Sequence, residues 1–194
     1  MVTGEQVTLE EMGGAEMHCR TSGLGDCLVE DDEEAIAAIR VWLSYLPSRW
    51  EAEPPVAEPA DPGSERTVEE VVPVRESEVY DVHELIDALV DEDSFFPCKE
   101  LFAPEMVTGF ARLNGQSVGL VANQPMQRGG VIFPDSSDKA ARFIWICNAF
   151  NIPLVFLVDI AGYMIGSEVE RQGIIRHGAK MLRSRRVAYP VSPC

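Results

Sequence analysis

The chain lacks an apolar run long enough to cross a membrane. Its longest, Asn151 to Gly166, is broken by Pro153 and Asp159 and falls short of the roughly 20 residues a spanning helix needs. The start, MVTGEQVTLEEMGG, has no basic segment followed by an apolar one, so no secretory signal is read and a cytoplasmic protein is expected. Cysteine is sparse. Cys19, Cys27, Cys98, Cys147 and Cys194 are odd in number, scattered, and free of any C-x-x-C pair, which argues against a disulfide framework or a zinc knuckle. His18, Cys19 and Cys27 lie close together but lack a fourth ligand, so no metal is expected. Histidine is scarce too, limited to His18, His83 and His177, and neither G-x-S-x-G nor H-E-x-x-H occurs. A nucleophile-and-base mechanism is therefore not written in the chain, and His177 reads as a packed helix residue.

What is present is acid, unevenly placed. Of the net charge of −16, residues 1–105 carry 27 acids against 6 bases and residues 106–194 carry 5 against 10. An acidic first half repels nucleic acid and anionic lipid; a basic second half suits an anionic small molecule only if its charges converge. With 46% hydrophobic residues the chain can bury a real core.

Three regions follow from composition. Residues 1–46 begin with a glycine-rich, loop-like stretch and end in a helix over Val29–Pro47, with acids in its first turn, Ile36, Ile39, Leu43 and Leu46 at helical spacing, and Pro47 as its stop. Residues 47–80 are a linker or surface-crossing segment: Glu51–Tyr80 alone holds five prolines and nine acids, too little apolar area to offset its ordering entropy. Residues 81–194 form an α/β unit. Asp81 with Glu84 predicts a capped short helix, and Asn114-Gly115 predicts a hairpin. A helix follows Asp135–Asp138, Ile152–Asp159 reads as a strand covered on both faces, and Val169–Leu182 reads as one helix with Ile174, Ile175, Ala179 and Leu182 on its packed side. Two strands, a crossover helix and a further strand make a β-β-α unit of the kind that stacks into a superhelix. The loop DIAGYMIGSE lacks the G-x-G-x-x-G spacing and the lysine of a phosphate-binding loop, against a doubly wound nucleotide fold.

Glycines cluster at element ends in this half: Gly129-Gly130 after ANQPMQR, and Gly162 and Gly166 after the last strand. Such loops let main-chain N–H groups approach an oxyanion, and they serve turn geometry equally well.

In order, R-G-G-V-I, D-K-A-A-R-F, C-N-A-F-N-I-P and G-I-I-R-H-G-A-K, within Phe95–Leu182, resemble the C-terminal half of the β subunit of biotin-dependent acyl-CoA carboxylases, the carboxyltransferase. Val2–Ile36 resembles the end of that subunit's N-terminal half. The resemblance implies an α/β, crotonase-like β-β-α superhelix. It also implies an enzyme that moves a carboxyl group from carboxybiotin to the α-carbon of an acyl-CoA, through an enolate held by main-chain donors. Biotin, carried on a partner subunit, brings its own base, which accounts for the missing catalytic side chains. Carried over by position, Asp159, Gly162, Tyr163 and Gly166 line the biotin and carboxyl site, with Gly129 and Gly130 on the adjoining wall. The implied partners are the biotin carboxylase and biotin carrier subunits, with a homo-oligomer in the full-length family.

Departures from the family shape the remaining expectations. The N-terminal half is reduced to about forty residues, Ala161 stands where many relatives have proline, and after Leu182 the chain reads RSRRVAYPVSPC where the family continues into another strand and a second glycine turn. An incomplete superhelix with an unpaired sheet edge and little activity of its own is expected. Two alternatives stay open. One is a non-catalytic module docking on full-length subunits. The other is a crotonase-type hydratase or isomerase, for which only Asp135, Asp138, Asp159, Glu168 and Glu170 are available as acids in the second half.

Overall fold

The computed structural model of the protein describes residues 6–75 and 78–185. Two short helices precede the expected one: α1 (Leu9–Gly13) and α2 (Ala15–Arg20) occupy ground that reads as loop in the sequence. The reason is a reciprocal cap, in which Glu11 N–H donates to Thr8 Oγ1 at 3.2 Å while Thr8 N–H donates to the Glu11 carboxylate at 3.0 Å. Of the glycines that suggest a loop, Gly13 closes α1, Gly14 lies between the two helices and Gly23 and Gly25 follow them. Helix α3 (Asp32–Leu43) starts as expected, Asp31 accepting from the N–H groups of Glu33 and Glu34 at 2.9 Å. Its packed face differs in part from the reading: Leu46 is buried as expected, but Ile36, Ile39 and Leu43 are about half exposed and the segment docks with Trp42 and Tyr45 in their place.

The acidic, proline-rich segment runs over the surface and is pinned at several points. Pro55 O accepts from Ser117 Oγ at 2.9 Å, Ala57 N–H donates to Gly115 O at 2.9 Å, and Pro62 bridges Asp91. It holds one turn of helix, α4 (Val68–Val71), whose Val71 is buried. In α5 (Val82–Asp87) Asp81 caps the helix by accepting from His83 N–H, but Glu84 does not close the expected box; it pairs with Arg66.

Four strands follow, β1 (Phe96–Pro97), β2 (Met106–Leu113), β3 (Gln116–Asn123) and β4 (Leu154–Leu157), ordered β1-β2-β3-β4. The first two pairings are antiparallel and the last is parallel. Asn114 and Gly115 take φ of 52° and 78°, the pair of left-handed residues a tight hairpin of right-twisted strands requires. Helix α6 (Pro134–Ala149) provides the crossover from β3 to β4.

Each face of the sheet carries its own core. Phe110, Val121, Phe143, Ile144 and Cys147 pack with Tyr45 and Leu46 on the α6 side; Val82, Leu85, Ile86, Val107, Leu120 and Ala122 pack on the α5 side. Strand β4 is covered on both faces, as its apolar run predicts: Leu154 and Phe156 serve one core while Val155 and Leu157 serve the other, although it is an edge strand among the described residues and only half buried. The continuous apolar run thus reflects two apolar faces and not an interior place in the sheet.

The last helix is two: α7 (Ser167–Gln172) and α8 (Ile174–Arg185), separated by Gly173 at φ 85°. Ile174 and Gly178 are buried, whereas Ile175, Ala179 and Leu182 face outward, so the packed face is rotated from the one expected. Helix α8 lies on α6, where Asp138 accepts from Lys180 Nζ at 2.9 Å and meets His177 Nδ1 at 2.7 Å. His177 is thereby engaged structurally. Among the described residues no helix is long and apolar enough to cross a membrane, and no group of three His, Cys, Asp or Glu side chains converges as metal ligands would. Cys19, Cys98 and Cys147 are buried and Cys27 is exposed; Cys194 and the closing residues 186–194 lie outside the described residues.

Buried Lys139 gives a pH-dependent prediction. Its ammonium donates to Phe102 O at 2.7 Å and Ala103 O at 3.3 Å, and burial pushes it down to about 8, against the opposing pull of Glu105. An unfolded lysine titrates near 10.4, so between about pH 8 and 10.4 the unfolded chain holds more protons and stability rises with pH. Relative to Lys139→Met, the parent chain is expected to gain on the order of 2 kcal/mol in urea unfolding between pH 7.5 and 10. A difference that does not change with pH would contradict this.

Candidate functional site

The carboxyl ends of β3 and β4 lie side by side, and the loops leaving them meet. Strand β3 ends in buried Asn123 and Gln124, after which the chain makes a turn over Arg128–Gly130 with φ of 50°, 65° and 64°. Gly130 N–H donates to Gln127 O, and Asn123 Nδ2 donates to Gly130 O, both at 2.9 Å. Gly130 must be glycine for a second reason besides its φ. A Cβ there would stand 3.1 Å from Asp159 O and 3.2 Å from Asn123 Cβ.

That contact joins the two loops. From Asp159 the chain runs along Ile132, whose N–H donates to Gly162 O at 3.2 Å while Ile132 O accepts from Met164 N–H at 2.9 Å. Gly162 and Gly166 take φ of 141° and 156°, and a Cβ at either of them, or at Gly129, would meet no atom within 4 Å. The side on which each would carry a side chain faces open space. Gly129, Gly130, Asp159, Gly162 and Gly166, the residues singled out in the sequence, therefore lie in two joined loops forming one wall. Tyr163 belongs to it by its main chain, for its ring is turned inward against Gly178 of α8 and burial pushes its hydroxyl up.

Other residues reach the same place without a signal in the sequence. Tyr80, at the end of the acidic segment, faces Asp159; burial first, and then the Asp159 carboxylate, push its hydroxyl up. Beside it Asp81 accepts from Gln124 Nε2 at 2.7 Å and meets His83 Nδ1 at 2.8 Å. Partial burial alone would raise the Asp81 carboxyl, but hydrogen bonds from His83 and Gln124 outweigh it and hold the group below its ordinary value. A cleft of about 370 Å³ opens here, bordered by Asp81, His83, Gln124, Gln127 and Lys139. These side chains converge only through the fold, since Tyr80–His83 and Gln124 are forty residues apart.

Chemically, the wall offers main chain and not a reactive side-chain pair. Of the five acids in the second half, Asp138 is held by His177 and Lys180, Glu168 accepts from Gln172 on exposed α7, and Glu170 and Asp135 are exposed. Only Asp159 stands at the wall.

The family model described as the carboxyl transferase domain matches residues 1–189. The chain belongs to the carboxyl transferase family. It is 56% identical over 94% of its length to the uncharacterized carboxylase YngE of Bacillus subtilis, of which it spans 36%. It is 43% identical over 93% of its length to the mitochondrial propionyl-CoA carboxylase beta chain of Homo sapiens, spanning 34% of that protein. Among solved structures, the transcarboxylase 12S hexamer with methylmalonyl-coenzyme A bound superposes with a TM-score of 0.91 at 44% identity, covering 96% of this chain and 37% of that one. This carboxyl transferase chain thus spans a little over a third of the length of the relatives it matches, and its fold is the α/β, crotonase-like fold of the family.

Proposed function

We propose that the glycine wall is the carboxybiotin side of a carboxyltransferase site in an acyl-CoA carboxylase. The observation that carries this reading is the contact of Gly130 with Asp159, which fuses two open glycine turns into one main-chain surface in a chain of this family. When bound, biotin supplies the carboxyl group and, through its ureido nitrogen, the base that takes the α-proton of the acyl-CoA. That chemistry fits a wall with no nucleophile-and-base pair facing it. The chain's own part is to aim main-chain N–H groups from Gly129, Gly162 and Gly166 at oxygens that gain negative charge, each such donor lowering the barrier by roughly 3 to 4 kcal/mol. Tyr163 anchors the loop to α8, and Tyr80 orients Asp159.

The acyl-CoA, the biotin carboxylase and biotin carrier partners and homo-oligomeric assembly belong to the same proposal. So does a division into residues 1–46, a joint at 47–80 and a C-terminal half from 81, supported by the pinning of the acidic segment on the hairpin end. A cytoplasmic place is supported by buried free thiols at Cys19, Cys98 and Cys147. A second reading, docking on a full-length subunit without turnover, is favoured by the edge position of β4, by exposed Val158 next to it and by exposed Ile165 and Ile175 further along the chain.

Titrating the isotope-labelled chain with free biotin tests the proposal. The amides of Gly129, Gly130, Gly162 and Gly166 are expected to shift together while Gly115, at the hairpin tip, stays still. Absence of any shift at the four, or an equal shift at Gly115, would reject the site. With carboxybiotin and propionyl-CoA the 194 residues alone are expected to turn over little, because the wall among the described residues faces open space.

A further inference from the structure

We propose that Glu105 and Phe133 together clamp Arg128 and so hold the Arg128-Gly129-Gly130 turn in the left-handed conformation that opens its main chain. Glu105 is a positioning residue in this arrangement. Only the consequence for ligand binding rests on the carboxybiotin reading; the clamp itself rests on geometry.

Glu105 is 1% exposed, and neither carboxylate oxygen has a hydrogen-bond partner among the described residues. A carboxylate buried in that way is tolerated only where charges oppose it. Two do. Arg128 Nη1 stands 3.9 Å away, and the Lys139 ammonium, anchored on Phe102 O and Ala103 O, also feels the Glu105 charge. The 3.9 Å gap is too long for a hydrogen bond, so charge and not directional bonding links Glu105 to Arg128.

Arg128 needs a restraint, because it has a Cβ and sits at φ 50°, a region disfavoured for such residues. Its guanidinium lies 4.9 Å over the Phe133 ring as well as beside Glu105. One anchor precedes the turn in sequence and the other follows it, so the guanidinium is held from both flanks of the turn. The Glu105 main chain is tied to the end of β3 that leads into the turn, its O accepting from Gln124 N–H at 3.0 Å.

Glycine at position 128 would need no clamp, and that separates the idea from general destabilisation. Amide exchange at Gly130, whose N–H donates to Gln127 O, is the readout in the full chain. Arg128→Ala is expected to speed exchange tenfold or more, and Arg128→Gly less than threefold. Glu105→Gln is expected to speed it tenfold in the parent and to have no further effect with Arg128→Gly. Equal exchange in the Ala and Gly variants, or a Glu105→Gln effect of equal size in both backgrounds, overturns the clamp. The Arg128 side chain is exposed, so its two variants decide the matter even if Glu105→Gln does not fold. Biotin-induced shifts at Gly129 and Gly162 should weaken in step with faster exchange. A loosened turn with unchanged biotin shifts would reject the binding consequence while the clamp stands.

Discussion

Gly130→Ala is expected to lower stability by about 2–3 kcal/mol and to abolish the biotin response of the wall. Two effects add at this position. The residue holds φ 64°, which costs a side-chain-bearing residue about 1–2 kcal/mol, and the new methyl would press on Asp159 O at 3.1 Å and Asn123 Cβ at 3.2 Å. Asp159 O is main chain, so relief requires the β4 loop to move off the β3 loop. The wall would then open along its seam. Gly129→Ala is the matched control: its φ is 65°, but the methyl would enter open space, so about 1–2 kcal/mol from conformation alone is expected. Urea unfolding of both variants, followed by biotin titration, separates the contributions. If the two alanines cost the same, the contact between the loops carries no weight, and the wall is two independent turns.

That seam is also where the sequence is least informative. The glycines themselves are legible, because all four lie in the loops that leave β3 and β4 and take conformations few other residues adopt. Their joining is not, since it depends on β3 and β4 being parallel neighbours with α6 between them. Tyr80, Asp81 and His83 illustrate the same limit. They stand at the exit of a segment whose composition says only that it builds no core, and the fold brings them to Gln124 and Asp159. Periodicity located the hairpin and α6 well because a strong local signal, Asn114-Gly115 or a polar-to-apolar switch, marks each. It misjudged faces where apolar residues outnumber buried positions. On α3 and α8 several large apolar side chains are exposed, so spacing alone cannot say which stripe packs. The apolar run of β4 was ambiguous for a related reason, as a strand touching two cores from the edge has the same composition as one at the centre.

The largest effect on stability is expected from Phe110→Ala, at about 3–5 kcal/mol. That is a third or more of the stability of a typical domain. Phe110 is fully buried on β2, with the Tyr45 ring stacked at 5.7 Å on one side and the Phe143 ring tilted at 5.0 Å on the other. It therefore joins the sheet to α6 and to the N-terminal segment at once. Tyr45 is itself fixed, its hydroxyl donating to Ser94 O at 2.6 Å and its ring lying 4.8 Å beneath the Arg112 guanidinium. Further ties to that segment come from Lys99, whose Nζ donates to Gly23 O at 2.5 Å and pairs with Asp26 at 3.1 Å, and from Arg112, whose Nη2 donates to Ser44 O at 2.9 Å. Removing the Phe110 ring leaves a cavity between three elements and loosens the aromatic tie. Global unfolding in urea should shift by the full amount. Proteolysis within 51–66 should also speed up, because segment 1–46 loses its aromatic anchor. Tyr45→Ala divides the two consequences: it should reproduce the faster cleavage with a smaller loss in global stability, since the contact with Phe143 survives. Unchanged cleavage in Tyr45→Ala would mean that the Tyr45 ring is not what holds the N-terminal segment in place and that Lys99, Arg112 on Ser44 O, Trp42 and Leu46 suffice.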